Sequence, residues 1–234
     1  MPRFGAALLA VLACVGGARA QGAPNCIDGL ITDEPSANRP GVIGSQNKRV
    51  HFYSGLEAGL DCPQAGEQCR LKSYLVPGDK VVVAAKTVPG FACTVFVDRK
   101  GAAHVGWSVA NAVTFSPMPA LALADWLGEW RYYNSTITIK RDKTPGRIAL
   151  EGYSFVKRLR GTANTGEFSA TVDVPRGHAI GFADRAGETV PIGKAEPYDC
   201  AIKLARLHDL MVVSGTSSCG GAGVDFTGYY RRRR

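Results

Sequence analysis

The sequence predicts an all-β protein in two units: a small N-terminal barrel, then a larger antiparallel β-barrel or sandwich. Three observations predict it. Short runs rich in β-branched and aromatic residues alternate with a period of two. The cleanest is Phe168-Ser169-Ala170-Thr171-Val172-Asp173-Val174, which sets Phe168, Ala170, Val172 and Val174 on one face. Turn signals such as Pro77-Gly78-Asp79, Pro89-Gly90 and Thr144-Pro145-Gly146 separate these runs. Outside the N-terminal leader only residues 120–127 have the makings of a helix, which argues against an alternating α/β fold.

Each segment follows in order. Residues 1–20 read as a secretory signal peptide: Arg3, a short apolar run, then Ala18-Arg19-Ala20 as a cleavage signal. The run is too short to span a bilayer. Val11-Leu12-Ala13-Cys14 offers a rival reading as a lipidation site. Residues 21–40, rich in Gly, Pro, Asn and Asp, are expected to form a loosely ordered arm. Residues 41–115 hold strands expected at 49–54, 71–76, 80–86, 92–98 and 107–109. Residues 116–124, with Ser116-Pro117-Met118-Pro119, read as a linker. From 125 to 234 strands are expected at 136–140, 147–156, 168–174, 178–183, 200–204, 210–214 and 224–230, followed by a frayed basic end. The two halves show no internal repeat.

The cysteines set the compartment. Without Cys14 six remain: Cys26, Cys62, Cys69, Cys93, Cys200 and Cys219. An even count in an exported chain points to disulfides. Six cysteines allow fifteen connectivities. The one expected here is Cys62–Cys69 across a short loop, Cys200–Cys219, and Cys26–Cys93 by elimination. Charge is concentrated. Losing the leader leaves 26 basic against 20 acidic residues, a formal +6, and Arg231 to Arg234 carry four of those charges. The high pI is therefore mostly a tail effect.

Val50–Gly55 (VHFYSG), Cys69–Val83 (CRLKSYLVPGDKVVV), Phe91–Asp98 (FACTVFVD) and Gly106–Val113 (GWSVANAV) resemble the bacterial SH3-like domains of exported proteins. Trp126–Trp130 (WLGEW), Thr165–Phe168 (TGEF) and the closing SCGGAGVDFTGYYRR resemble an exported proteobacterial β domain sometimes attached to lysozyme-inhibitor-like modules. Gly128-Glu129-Trp130 also looks like the lipocalin arrangement. That likeness implies a first-strand tryptophan capped by a late basic side chain through a cation–π contact.

No catalytic, metal or cofactor constellation emerges. Cys219-Gly220-Gly221-Ala222-Gly223-Val224 lacks the lysine and following helix of a phosphate-binding loop, and reads as a stapled turn. His51, His104, His178 and His208 lack metal-ligand spacing. Glu151, Glu167 and Asp173 are scattered, although a glycosidase pair is defined only in space. The ligand candidates are aromatic and basic. His51, Phe52, Tyr53 and Tyr74 are expected to line an SH3-type groove, and Trp107, the large aromatic that closes the small barrel, is a further ligand candidate. Arg158 and Arg160, from one basic run, form an acidic-ligand surface if such runs converge with the tail. The sequence thus points to a non-enzymatic, cofactor-free binding protein of the cell envelope, periplasmic or secreted. Its expected ligand is peptidoglycan or a peptide, not nucleic acid, and no transmembrane segment is expected. Inhibition of a lysozyme-like enzyme and small-molecule carriage in a calycin-like barrel are the alternatives.

Overall fold

The computed structural model describes residue 26 and residues 31–55, 61–158 and 161–233. The signal peptide with Cys14, and Arg160 and Arg234, lie outside the described residues. The chain is all-β. Strands β1 (Arg39–Ile43), β2 (Val50–Tyr53), β3 (Arg70–Leu75), β4 (Lys80–Val88), β5 (Phe91–Val97), β6 (Ala103–Val109) and β7 (Val113–Phe115) form one sheet. A one-turn helix, α1 (Leu123–Trp126), opens the second half. Strands β8 (Gly128–Tyr132), β9 (Ser135–Arg141), β10 (Arg147–Lys157), β11 (Ala163–Asp173), β12 (Ala179–Arg185), β13 (Glu188–Pro191), β14 (Cys200–Leu207), β15 (Leu210–Gly215) and β16 (Gly228–Arg232) follow. The first sheet is a curled antiparallel sheet in the order β3-β2-β6-β5-β4-β1-β7. The second is a nearly closed barrel in the order β11-β10-β9-β8-β16-β15-β14-β12-β13. Among the described residues no helix is long and apolar enough to cross a membrane.

Two strand pairs break the alternation, and packing explains why. Val81, Val82, Val83 and Ala84 of β4 are all buried. Val81 and Val83 face the first sheet's own core with Phe52 and Leu75, whereas Val82 and Ala84 face the barrel. β14 and β15 mirror this. Leu204, Met211 and Val213 point into the barrel, while Leu207, Leu210 and Val212 point out against β4 and β5. A strand buried on both faces reads as a continuous apolar run. The seam holding Val82, Val95, Trp107, Leu207, Leu210, Val212 and Tyr229 therefore joins the halves. Each fully buried side chain of this size contributes roughly 2 kcal/mol.

The barrel interior is filled. Trp126, Trp130, Ile137, Phe168, Phe182, Ile202, Phe226 and Tyr230 pack together in it. Gly152 on β10 is required there, because a Cβ would lie 2.1 Å from the Phe168 ring. β16 pairs with β8, closing one side. Between β11 and the β12–β13 hairpin there is no ladder. Side chains substitute: the Ser169 amide donates to Asp184 Oδ2 (2.7 Å) and the Thr171 amide to Thr189 Oγ1 (2.9 Å).

Three disulfides, Cys26–Cys93, Cys62–Cys69 and Cys200–Cys219, staple the chain in the pairing the sequence led us to expect. They suit an oxidising compartment outside the cytoplasm. Two expectations change. The arm is ordered from Ile31, which is buried, and clasps the barrel. Glu34 pairs with Lys203 (2.5 Å), and the His178 ring meets the Ser36 carbonyl (3.1 Å). Residues 39–40 already belong to β1. The closing strand lies later than 224–230. Val224 and Phe226 are buried before it begins, and Arg231 and Arg232 sit within β16 as ladder residues opposite Arg131 and Trp130. Their backbone is taken up by β8, so the basic end does not fray at that point.

Candidate anion-binding cleft

The ladder between β8 and β16 dictates the main chemical feature of the surface. Residues alternate across a strand, so Trp130 and Tyr230 point into the barrel while Arg131, Tyr229 and Arg231 point outward. Register sets Arg131 directly opposite Arg231. Like charges so placed destabilise a strand pair. The first half adds its β5–β6 turn, Arg99-Lys100-Gly101. The result is a cleft of about 1500 Å³ between the halves, lined by seven cationic side chains and one carboxylate, Asp209.

Some of these charges are answered. Glu129 accepts from Arg131 Nε (2.5 Å) and Arg233 Nη1 (3.3 Å), and the Arg131 bond above all holds its carboxyl below the usual range. Arg231 donates to the Val97 carbonyl of the other half (2.7 Å) and stands 3.8 Å from Asp209. Arg99, Lys100, Arg206 and Arg232 have no carboxylate partner among the described residues. Arg232 lies over Gly128, where a Cβ would come within 2.8 Å of its Nε.

Arg206 is the buried member, only 7 % exposed. Its guanidinium covers the Trp130 ring at 4.1 Å. Nε donates to the Asp125 carbonyl (3.2 Å) and Nη1 to the Leu210 carbonyl (2.9 Å). Trp130 Nε1 in turn donates to the Trp126 carbonyl, fixing α1 against the barrel end (3.1 Å). Burial, with a further contribution from Arg232, pulls the Arg206 pKa down to about 10, so it stays charged at neutral pH. The cap over Trp130 thus comes from β14, not from the C-terminal arginines. A buried cation held by carbonyls and a ring, with a second cation beside it, favours an incoming anion. Clefts lined by one sign of charge also focus the field outward.

The other wall is aromatic. Tyr132 stacks edge-on against Tyr133 (4.6 Å) and Tyr229 (6.1 Å). Gly228 makes this possible, since a Cβ there would lie 2.2 Å from the Tyr132 ring.

The residues expected from sequence fall elsewhere. Phe52 and Trp107 are core, not groove: alternation turns Phe52 inward on β2, and Trp107 fills the seam. Tyr53 is half-buried, edge-on to Phe91 at 5.3 Å. Tyr74 is exposed on the edge strand β3, under Arg49 (4.5 Å). Arg158 is exposed in the β10–β11 turn and does not line the cleft. That turn and the tail belong to opposite barrel ends, as the β8–β9–β10 registers require. Among the carboxylates, Glu151 pairs with Lys140 (3.2 Å) and Asp173 with Arg147 (3.6 Å). Glu151 and Glu167 both line a shallow outer groove of about 550 Å³. The four histidines meet the Leu71, Ser36 and Gly41 carbonyls and, for His104, Asp98 (3.5 Å). Comparison with protein-family models, with curated proteins and with solved structures finds no match for this chain.

Proposed function

We propose that this is an exported, non-enzymatic binding protein of the bacterial cell envelope, periplasmic or secreted, which takes an acidic ligand in the cleft between its halves. The observation that carries this reading is the set of cations without carboxylate partners among the described residues, Arg99, Lys100, Arg206 and Arg232, converging from two units on one cleft. The filled barrel argues for recognition outside it, and so against carriage of a small molecule within. A basic cleft is also poorly matched to a cationic lysozyme-like target. Peptidoglycan fits, because its peptide stems carry free carboxylates. The SH3-like resemblance of the first half points the same way. Its contribution at the cleft is the Arg99-Lys100 turn rather than Phe52 or Trp107.

Co-sedimentation with purified sacculi tests the proposal. The protein is expected to sediment at low salt, to be released as salt rises, and to lose binding when Arg99 and Lys100 are both changed to Glu. Sedimentation no greater than without sacculi, or binding indifferent to the double change, overturns it.

A further inference from the structure

Tyr133 is the residue of the cleft that folding does not explain. It opens the two-residue turn between β8 and β9, at φ 45°. That left-handed conformation is costly for a bulky residue and native to glycine or asparagine. Its side chain is 77 % exposed and outside every buried cluster. Among the described residues two other non-glycine residues hold positive φ. His208 repays it by bonding the Gly41 carbonyl across the seam (3.0 Å), and Ala186 sits in a turn away from the cleft. Strained, exposed positions beside a cleft are places where binding selects the residue. A tyrosine is kept here with one edge of its ring packed on Tyr132 and the rest open to the cleft.

Tyr133 follows Trp130, the register partner of Arg232, by three residues, the last of them in the turn. At about 3.3 Å per extended residue that is at most about 10 Å. One side of the cleft therefore presents an aromatic ring and, further along, the cations Arg206 and Arg232. Asp209 adds a hydroxyl acceptor among the cations. A ligand bearing only phosphodiesters or carboxylates gains nothing from that acceptor and is repelled by it. A ligand with rings, hydroxyls and an occasional anionic group uses all three features.

Resting on the binding reading above, we infer that the cleft recognises an anionic saccharide, seating a sugar ring on Tyr133 and a carboxylate or phosphate of the same ligand at Arg206 and Arg232.

Isothermal titration of the protein tests this with five probes: trigalacturonate, trehalose 6-phosphate, inorganic phosphate, a tri-glutamate peptide and oligo(dT). At least one saccharide is expected to bind more tightly than phosphate, peptide or oligo(dT), and which one binds identifies the anionic group. Tyr133→Gly is expected to weaken that saccharide roughly tenfold, while Tyr133→Phe retains it and Arg232→Ala weakens it. Because glycine suits the turn, Tyr133→Gly should melt no lower than the parent protein. This separates loss of recognition from loss of fold. Equal saccharide affinity in Tyr133→Gly, phosphate binding as tightly as the sugar phosphate, tighter binding of peptide or oligo(dT), or no binding of either saccharide overturns the inference. If sacculi are still retained through Arg99 and Lys100, only this inference falls. If they are not, the binding reading falls with it.

Discussion

The barrel half carries a core of its own, whereas the seven-stranded sheet shares part of its core with the barrel. Trp126, Trp130, Phe168, Phe226 and Tyr230 close over one another without help from the first half. The first sheet divides its apolar residues between a small private cluster around Phe52, Leu75 and Val83 and the common seam. Two of the three disulfides also lie in or reach that half. A unit with a thin core of its own leans on covalent staples and on a neighbour, as the scaling of surface with size requires.

The comparison breaks most sharply at Cys26–Cys93, whose 67-residue separation closes the longest loop. Changing both to Ser should cost about 4 kcal/mol. In calorimetry the loss should fall on a first-half transition and leave the barrel transition in place. A single transition shifted as a whole would show that the halves unfold as one. Next is Gly152→Val, which drives a side chain into the Phe168 ring. It should cost ~3 kcal/mol and lower the barrel transition, read by calorimetry or urea titration. Arg231→Met, which strips the donor from the Val97 carbonyl, should cost about 2 kcal/mol and bring the two transitions apart. The smallest effect lies at His208. Burial lowers its pKa, so the unfolded chain binds the extra proton more readily. Stability contributed by the neutral ring is complete above the unfolded value of about 6.5 and is lost as pH falls below it. In urea titrations across that range His208→Asn, which tolerates the same backbone conformation, should flatten this acid limb.

Much of the fold was legible because its signals are local. Alternation in residues 168–174 announced β11, with Phe168 and Ala170 buried as the pattern required. The glycine-rich loop read as a stapled turn, and Cys219 is bonded to Cys200 there. The strand β1 and the edge strand β7 beside it were missed because they are short and carry Arg39, Pro40 and Thr114 in place of an apolar rhythm. The cleft was illegible for a different reason. Arg99 and Arg232 are separated by more than half the chain, and only the β8–β16 register and the seam bring them together. Aromatic content drew attention to Phe52 and Trp107, yet a small sheet needs its largest rings inside. The available sequence clue was Tyr133-Asn134, a turn with tyrosine in a place where glycine is the ordinary choice.

The gap beside β11 has a consequence for how the molecule behaves among other chains. Asp184 and Thr189 occupy the amides of Ser169 and Thr171 that a foreign strand would seek. An eleven-residue border is thereby denied to intermolecular sheet growth. The two sides meet through single polar contacts, so the last part of the wall to arrive has no register to search for. A protein whose disulfides suit an oxidising compartment outside the cytoplasm gains from a border that is sealed before it can recruit a neighbour.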